Sequence, residues 1–191
     1  MERVYTEDKI FEQVDFTQYA LPVGDYESCT FNQCDFSHTS LSSIHFTDCR
    51  FVNCNLSLSK LVNTVLADVQ FNDCKLLGLF FNDCSDFIFT VSFEQCLLNL
   101  SSFYKRKLKK TNFSQSSLQE VDFSEADLTG ATFANCNLLK AVFDNTVLEK
   151  ADLRTAFNYT IDPAKNRIKK ARFSIQGVAG LLDQYDIDIS L

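Results

Sequence analysis

The chain has 191 residues, 46% of them hydrophobic, with 19 phenylalanines, no tryptophan, two prolines and a formal charge of −7. That length suits one domain with a sizeable core, and the acidic balance disfavours direct binding of nucleic acid. No stretch approaches the roughly 18 consecutive apolar residues of a membrane span, and the charged opening MERVYTEDKIF lacks the apolar centre of a secretory signal; a cytoplasmic protein with no membrane partner is the expectation.

From Phe16 a large apolar residue recurs at every fifth position: Phe16, Leu21, Tyr26, Phe31, Phe36 and onward without a miss to Phe81. An α-helix repeats every 3.6 residues and a strand every 2, so neither explains a period of five. The register breaks in NDCSDFIF, from Asn82 to Phe89, where two extra residues intervene. It resumes at Ile88 and runs through Phe93, Leu98 and Phe103 to Leu153. Two places before these centres sit small or compact residues, including seven of the eight cysteines, at 29, 34, 49, 54, 74, 96 and 136; the eighth, Cys84, fits the first register as it runs out at Asp86. The other three positions of each unit are mostly polar. Each unit therefore points two residues inward and three outward.

A sharp turn every five residues satisfies this pattern. Four units make one square coil of about twenty residues, and coils stack as parallel sheets at roughly 4.8 Å. The twenty-eight units then form an all-β solenoid of about seven coils, roughly 34 Å long. Phe and Leu centres fill the tube, with the smaller residues between them.

The disturbances come in chain order. Pro22 follows a centre and makes the first coil irregular. The two-residue shift near 82–88 forms a bulge or short loop with Asp86 pointing out. In Lys105–Lys110, five of six residues are basic (Lys105, Arg106, Lys107, Lys109 and Lys110), a solvated face or a contact patch. Arg106 occupies a nominally inward position. An unpaired buried guanidinium costs too much, so either it snorkels outward or its unit bulges. The solenoid is assigned to residues 1–156 and a capping and dimerisation segment to 157–191. Asn158–Pro163 reads as a turn, and Ile168, Ala171 and Phe173 as a closing element. Gln176–Tyr185 reads as a short helix with Val178, Leu181, Leu182 and Tyr185 on one side. Ile187 and Ile189 alternate as in a strand. A solenoid end needs such a cap, and Leu181, Leu182 and Tyr185 are the candidates for pairing two copies.

The rhythm resembles the pentapeptide-repeat family, on units such as Ala126-Asp127-Leu128-Thr129-Gly130 and Ala151-Asp152-Leu153-Arg154-Thr155, over about residues 14 to 155. The resemblance implies a right-handed quadrilateral β-helix. The whole layout, with the tail from Asp162-Pro163 onward, is similar to the bacterial proteins that protect DNA gyrase from quinolones or from microcin B17. Some quinolone-protection proteins carry longer loops on the rod; this chain has a two-residue shift in their place. The resemblance implies a homodimer joined end to end through the C-terminal element.

Charge is uneven: net −8 over 11–104, +5 over 105–110, −5 over 111–153 and +2 over 154–191. A narrow acidic rod carries a field somewhat like that of duplex DNA. With the family likeness this points to a DNA-mimicking protein that binds a type II topoisomerase, DNA gyrase, through outward acids including Asp35, Asp48, Asp68, Asp73, Asp122 and Asp127. The alternative is a scaffold or interaction module with another partner, whose acids keep an all-sheet rod soluble. A filled tube leaves no cleft, the two histidines, His38 and His45, sit outward on different units, and no catalytic, phosphate-binding or metal motif occurs. No enzyme activity, cofactor or metal is expected. The cysteines read as inert core thiols; stacked thiols such as 34, 54 and 74 are suited to a soft metal, but nothing else in the sequence asks for one.

Overall fold

The structure is a computed structural model that describes residues 3–188. Its strands are β1 (Val4–Glu7), β2 (Ile10–Glu12), β3 (Gly24–Glu27), β4 (Thr30–Asn32), β5 (His45–Thr47), β6 (Arg50–Val52), β7 (Val65–Asn72), β8 (Phe89–Glu94), β9 (Asn112–Ser114) and β10 (Thr132–Ala134). All pairings are parallel and join successive coils, in the orders β1-β3-β5-β7 and β2-β4-β6-β7-β8-β9-β10. Phe31 pairs with Phe51 and Phe51 with Phe71, twenty residues on; Phe71 then pairs with Phe93, twenty-two on. The period of five thus closes into a parallel β-solenoid of about seven regular turns. Pairing also extends past the repeats at both ends, through β1 and β2 and through Val147–Arg167 and Asp152–Arg172.

The local cause is a turn in every unit. The residue two past most centres has a left-handed backbone, as at Ser43 (φ 61°), Leu58 (58°), Lys110 (58°) and Gly130 (69°). In many units the amide three past the centre donates back to the centre's carbonyl, as from Thr64 to Leu61 (3.0 Å) and from Ala131 to Leu128 (3.0 Å). With the left-handed residue third of four, these are type II turns. Leu58 and Leu100 hold a conformation costly for ordinary residues, which the coil-to-coil ladder imposes.

Four walls follow from the stacking, named here by their centres. Wall one carries a continuous column of seven rings, Phe11, Phe31, Phe51, Phe71, Phe93, Phe113 and Phe133, with neighbouring centroids 4.7–5.4 Å apart. Wall two begins Phe16, Phe36, Leu56. Wall three ends in the stack Phe81, Phe103, Phe123, Phe143. Wall four begins Tyr26, Phe46, Leu66. Rings of adjacent walls meet edge to face, as Phe113 meets Phe123 at 5.9 Å and 82°, so columns interlock at distances that favour aromatic pairs. All eight cysteines are buried and free, inside the tube.

The break at 82–88 is resolved differently from expectation. Phe89, not Ile88, takes the centre's place: it pairs with Leu66 and packs edge-on against Phe81 at 6.1 Å. Ile88 is exposed and Phe87 is 86% exposed. The inserted residues are absorbed as an outward loop before the centre, which pushes the apolar pair Phe87-Ile88 out of the tube.

Arg106 neither snorkels nor bulges. Its side chain is 4% exposed. Along this corner each coil's amide normally bonds the carbonyl below, as Ser85 to Thr64 and Asp127 to Arg106. Above the inserted loop, the guanidinium takes over that role: Nη1 donates to Cys84 O (3.1 Å) and Nη2 to Ser85 O (2.9 Å). Nη1 also bonds Asp86 at 2.6 Å, and the group lies 4.3 Å from the Phe89 ring centroid. The loop displaces the backbone, and the planar fork reaches what the amide no longer can.

The tail from 176 is two short 3-10 turns, Val178–Leu181 and Asp183–Tyr185, rather than one helix. It is seated on Tyr159: a Cβ on Gly180 would stand 2.1 Å from Tyr159 O, so only glycine allows this approach. The expected strand through Ile187 and Ile189 does not form at Ile187, and Ile189 lies outside the described residues.

Candidate partner-binding face

The six acids singled out in the sequence are distributed over all four walls. Asp73 lies at the edge of wall one, Asp35 on wall two, Asp122 on wall three, and Asp48, Asp68 and Asp127 on wall four. They divide by backbone position. Asp35, Asp122 and Asp127 stand one place before a centre, where the carboxylate accepts the amide two residues on: Ser37 at 2.8 Å, Ser124 at 2.9 Å and Thr129 at 3.1 Å. Asp15, Asp152 and Asp162 do the same. These are Asx turns, and they fold the rod. Asp48, Asp68 and Asp73 occupy left-handed turn positions and project outward, exposed.

Wall four is where charge concentrates. Its first half carries Glu7, Asp8, Asp25, Glu27, Asp48 and Asp68 on successive coils. Asp25 is bridged by Arg3 (2.7 Å) and by His45 Nδ1 (2.8 Å). The hydrogen bond from Arg3 holds its carboxyl below the usual range. The Tyr5 hydroxyl donates to Glu27 at 2.8 Å, which pushes the phenol up to about 12.

The second half of the same wall is basic. Lys107, Lys109 and Lys110 stack beneath Lys150, Arg167, Lys169 and Lys170, interrupted by Asp127 and Glu149. Lys109 reaches Asp127 at 3.2 Å and Arg167 reaches Glu149 at 2.6 Å. Burial opposes ionisation of Asp127, yet the Thr129 hydroxyl and amide and the Lys109 ammonium hold its carboxyl below normal. Of the contact patch proposed from sequence, Lys107, Lys109 and Lys110 belong to this wall. Lys105 sits at its corner, beside Glu125 (3.4 Å), and Arg106 is structural. Lys150 and the tail cations Arg167, Lys169 and Lys170 went unassigned from sequence; laying the chain out in rows of twenty, with the two-residue shift removed, puts them in line with Lys107–Lys110.

Walls two and three carry exposed apolar residues near the middle: Leu58, Phe80, Leu97 and Leu100 are 42–61% exposed. Of the proposed dimerisation residues, Leu181 and Leu182 are half-buried, Leu181 packing on the core, and Tyr185 is 61% exposed. A hollow of about 300 Å³ is lined by Phe157, Tyr159, Ser174 and Gly177, and the buried Tyr159 hydroxyl has no hydrogen-bond partner. Among the described residues no group of three or more His, Cys, Asp or Glu is arranged to hold a metal. No described helix is long and apolar enough to cross a membrane.

A model of the pentapeptide repeat region matches residues 25–85, and one of pentapeptide repeats in eight copies matches 96–133 and 122–156, together more than half of the chain. No curated protein matches by sequence. Among solved structures, a trypsin-treated form of QnrB1, a plasmid-mediated fluoroquinolone resistance protein, superimposes with a TM-score of 0.59 at 15% identity, over 98% of this chain and 100% of that one. Full-length QnrB1 gives 0.51 at 16%, over 96% and 100%. HetL from the cyanobacterium Nostoc sp. strain PCC 7120, involved in heterocyst differentiation regulation, gives 0.52 at 15%, over 92% and 88%. At such identities the likeness is one of fold.

Proposed function

The chain belongs to the pentapeptide-repeat family, and on that premise we propose that it works by binding, without catalysis, and that its partner is a type II topoisomerase, DNA gyrase, engaged where duplex DNA lies. The observation that carries this reading is the acidic half of wall four. Six carboxylates on four coils spaced about 4.8 Å, with Asp25 offset by Arg3, give a net of about one charge per 4 Å of axis; duplex DNA carries one per about 1.7 Å. That density is enough to steer a DNA-binding surface toward the rod. The solved QnrB1 structures, described as those of a fluoroquinolone resistance protein, share the fold and lend the reading support.

The decisive experiment is a fluorescence titration of labelled protein with purified gyrase, repeated with excess duplex DNA, alongside a supercoiling assay with and without a quinolone. Binding that weakens with salt and is competed by DNA is expected. Absence of binding at low salt, or indifference to DNA, defeats it.

A second reading, a scaffold for a different protein, is favoured by the exposed cluster Leu58, Phe80, Leu97 and Leu100, which has no counterpart on DNA and suits a protein surface. Binding lost on Leu97→Ser and Leu100→Ser but insensitive to DNA supports it.

A further inference from the structure

Wall four is organised symmetrically about its middle. Its coils succeed one another at Tyr5, Asp25, His45, Val65, Phe87–Phe89, Lys107, Asp127, Val147 and Arg167. The inserted loop is the fifth of these nine levels. The four levels on one side are acidic on balance and the four on the other basic on balance, although among the latter the Asp127 level carries an acid alone and Glu149 offsets Lys150. At the dividing level stands Phe87, 86% exposed, the side chain that the insertion expelled.

A face with opposite charge on its two halves is complementary to itself once reversed. Consider a two-fold axis lying in the face, across the rod, at the level of Phe87. It sets a second copy antiparallel against the first, keeps each column opposite the same column, and inverts the order of levels. Asp8 then faces Lys170 of the second copy, Glu7 faces Lys169, and Asp68 faces Lys110. These residues sit on exposed turns or wall positions of the outermost and innermost levels. The two Phe87 side chains meet at the axis. One unfavourable pair, Glu27 opposite Glu149, is softened because Tyr5 and Arg167 already bond those carboxylates.

We infer that wall four is a lateral interface on which two copies of this chain pair antiparallel, held by acid-to-base contacts on either side of a central Phe87 contact. A two-fold isologous contact closes at two subunits. Charge complementarity sets its register, and apolar burial at the centre adds affinity. The inference stands independently of the topoisomerase reading, since it is measured on this protein alone. Were both to hold, the paired state would cover the acidic half and compete with the topoisomerase.

The test is sedimentation of the intact chain at low and high salt, together with two charge-reversed variants. Asp8→Lys with Asp68→Lys sets like charges opposite Lys170 and Lys110; Lys110→Glu with Lys170→Glu sets like charges opposite Asp68 and Asp8. All four positions are exposed, so folding is kept, which circular dichroism checks. Expected are a dimer of the 21.8 kDa chain at low salt that dissociates at high salt, at least about tenfold weaker pairing in each variant, and recovery of a one-to-one dimer when the two variants are mixed. Phe87→Ser should weaken pairing in the intact chain. A monomer at low salt overturns the inference. So does a dimer that survives both reversals, as end-to-end pairing through Tyr185 would, or a variant mixture that stays monomeric.

Discussion

Arg106 and Asp86 form a bond of 2.6 Å between a guanidinium that is 4% exposed and a carboxylate that is 99% exposed. The arginine belongs to the coil above the inserted loop and the aspartate to the loop itself. The pair therefore pins an insertion that would otherwise float off the rod. Most of the hold comes from the two loop carbonyls, because a carboxylate open to water contributes little.

Arg106→Ala should accordingly destabilise the protein by about 2–4 kcal/mol, through two lost charge-assisted bonds and a buried void. Arg106→Lys should rescue little of this, since an ammonium cannot span both carbonyls. Asp86→Asn should cost less than about 1 kcal/mol. Urea unfolding of the three variants checks the order; equal losses for Arg106→Ala and Asp86→Asn would contradict it.

Phe113, the sixth of the seven stacked rings, lies on Phe93 at 5.3 Å and on Phe133 at 5.0 Å. Phe113→Ala should cost about 3–5 kcal/mol, and Phe113→Leu markedly less, because leucine already serves as a centre in other columns. Thermal unfolding reads the difference. If the alanine variant melts with the parent, the column is not what holds the coils together.

The cysteines should be silent toward thiol reagents. Burial pushes Cys34 up to about 11 and Cys49 up to about 12. Cys74 is raised by thiol hydrogen bonds with Cys54 and Cys96 on either side and by burial; the same hydrogen bonds lower those two neighbours, which are kept from reagents by their burial in the tube. The thiolate is the reactive form, so at pH 8 labelling should reach less than about one thiol per chain before denaturation and all eight afterwards. Fast labelling of several in the folded protein would refute the inward placement.

Acid should weaken the rod through its turn carboxylates. Asp15 is held below its ordinary range by the Thr17 hydroxyl and amide, and Asp152 by Arg154. Asp127 is held there despite its burial, by Thr129 and Lys109. A folded value below the unfolded one means stability that is complete above the unfolded value, 3.8, and is lost as the pH falls through the lower folded values. The melting temperature should be level above about pH 5 and drop below about pH 4, with a shallower drop for Asp127→Asn. A melting temperature constant down to pH 2 would rule this out.

Two classes of aspartate should separate stability from binding. Asp35→Ala removes an Asx-turn acceptor and should cost about 1 kcal/mol with little change in gyrase affinity. Asp48→Lys with Asp68→Lys should leave stability within about 0.5 kcal/mol and weaken gyrase binding about tenfold or more. If the outward pair can be reversed without loss of binding, the acidic half of wall four is not the contact.

The sequence alone determined the tube. A period of five matches neither the 3.6 of a continuous helix nor the 2 of a continuous strand, and inward Phe113 or Cys74 cannot be accommodated except by a turn in every unit. The coil length and the stacked phenylalanines follow from that arithmetic, because side-chain burial repeats wherever the backbone repeats. Tertiary structure decided what the repeat leaves free. Whether Asp68 and Lys110 share a wall depends on how two extra residues are absorbed between them, and a loop can take them up before or after the centre. Phe89 rather than Ile88 is the centre because the extra residues are taken up ahead of it, which carries Phe87 and Ile88 out of the tube. Arg106 stayed inside because that same loop left carbonyls unmet one coil below, a partner visible only when coils are stacked. Asp35 and Asp48 look alike as outward acids. Only the backbone shows that one carboxylate closes a turn and the other is presented to solvent.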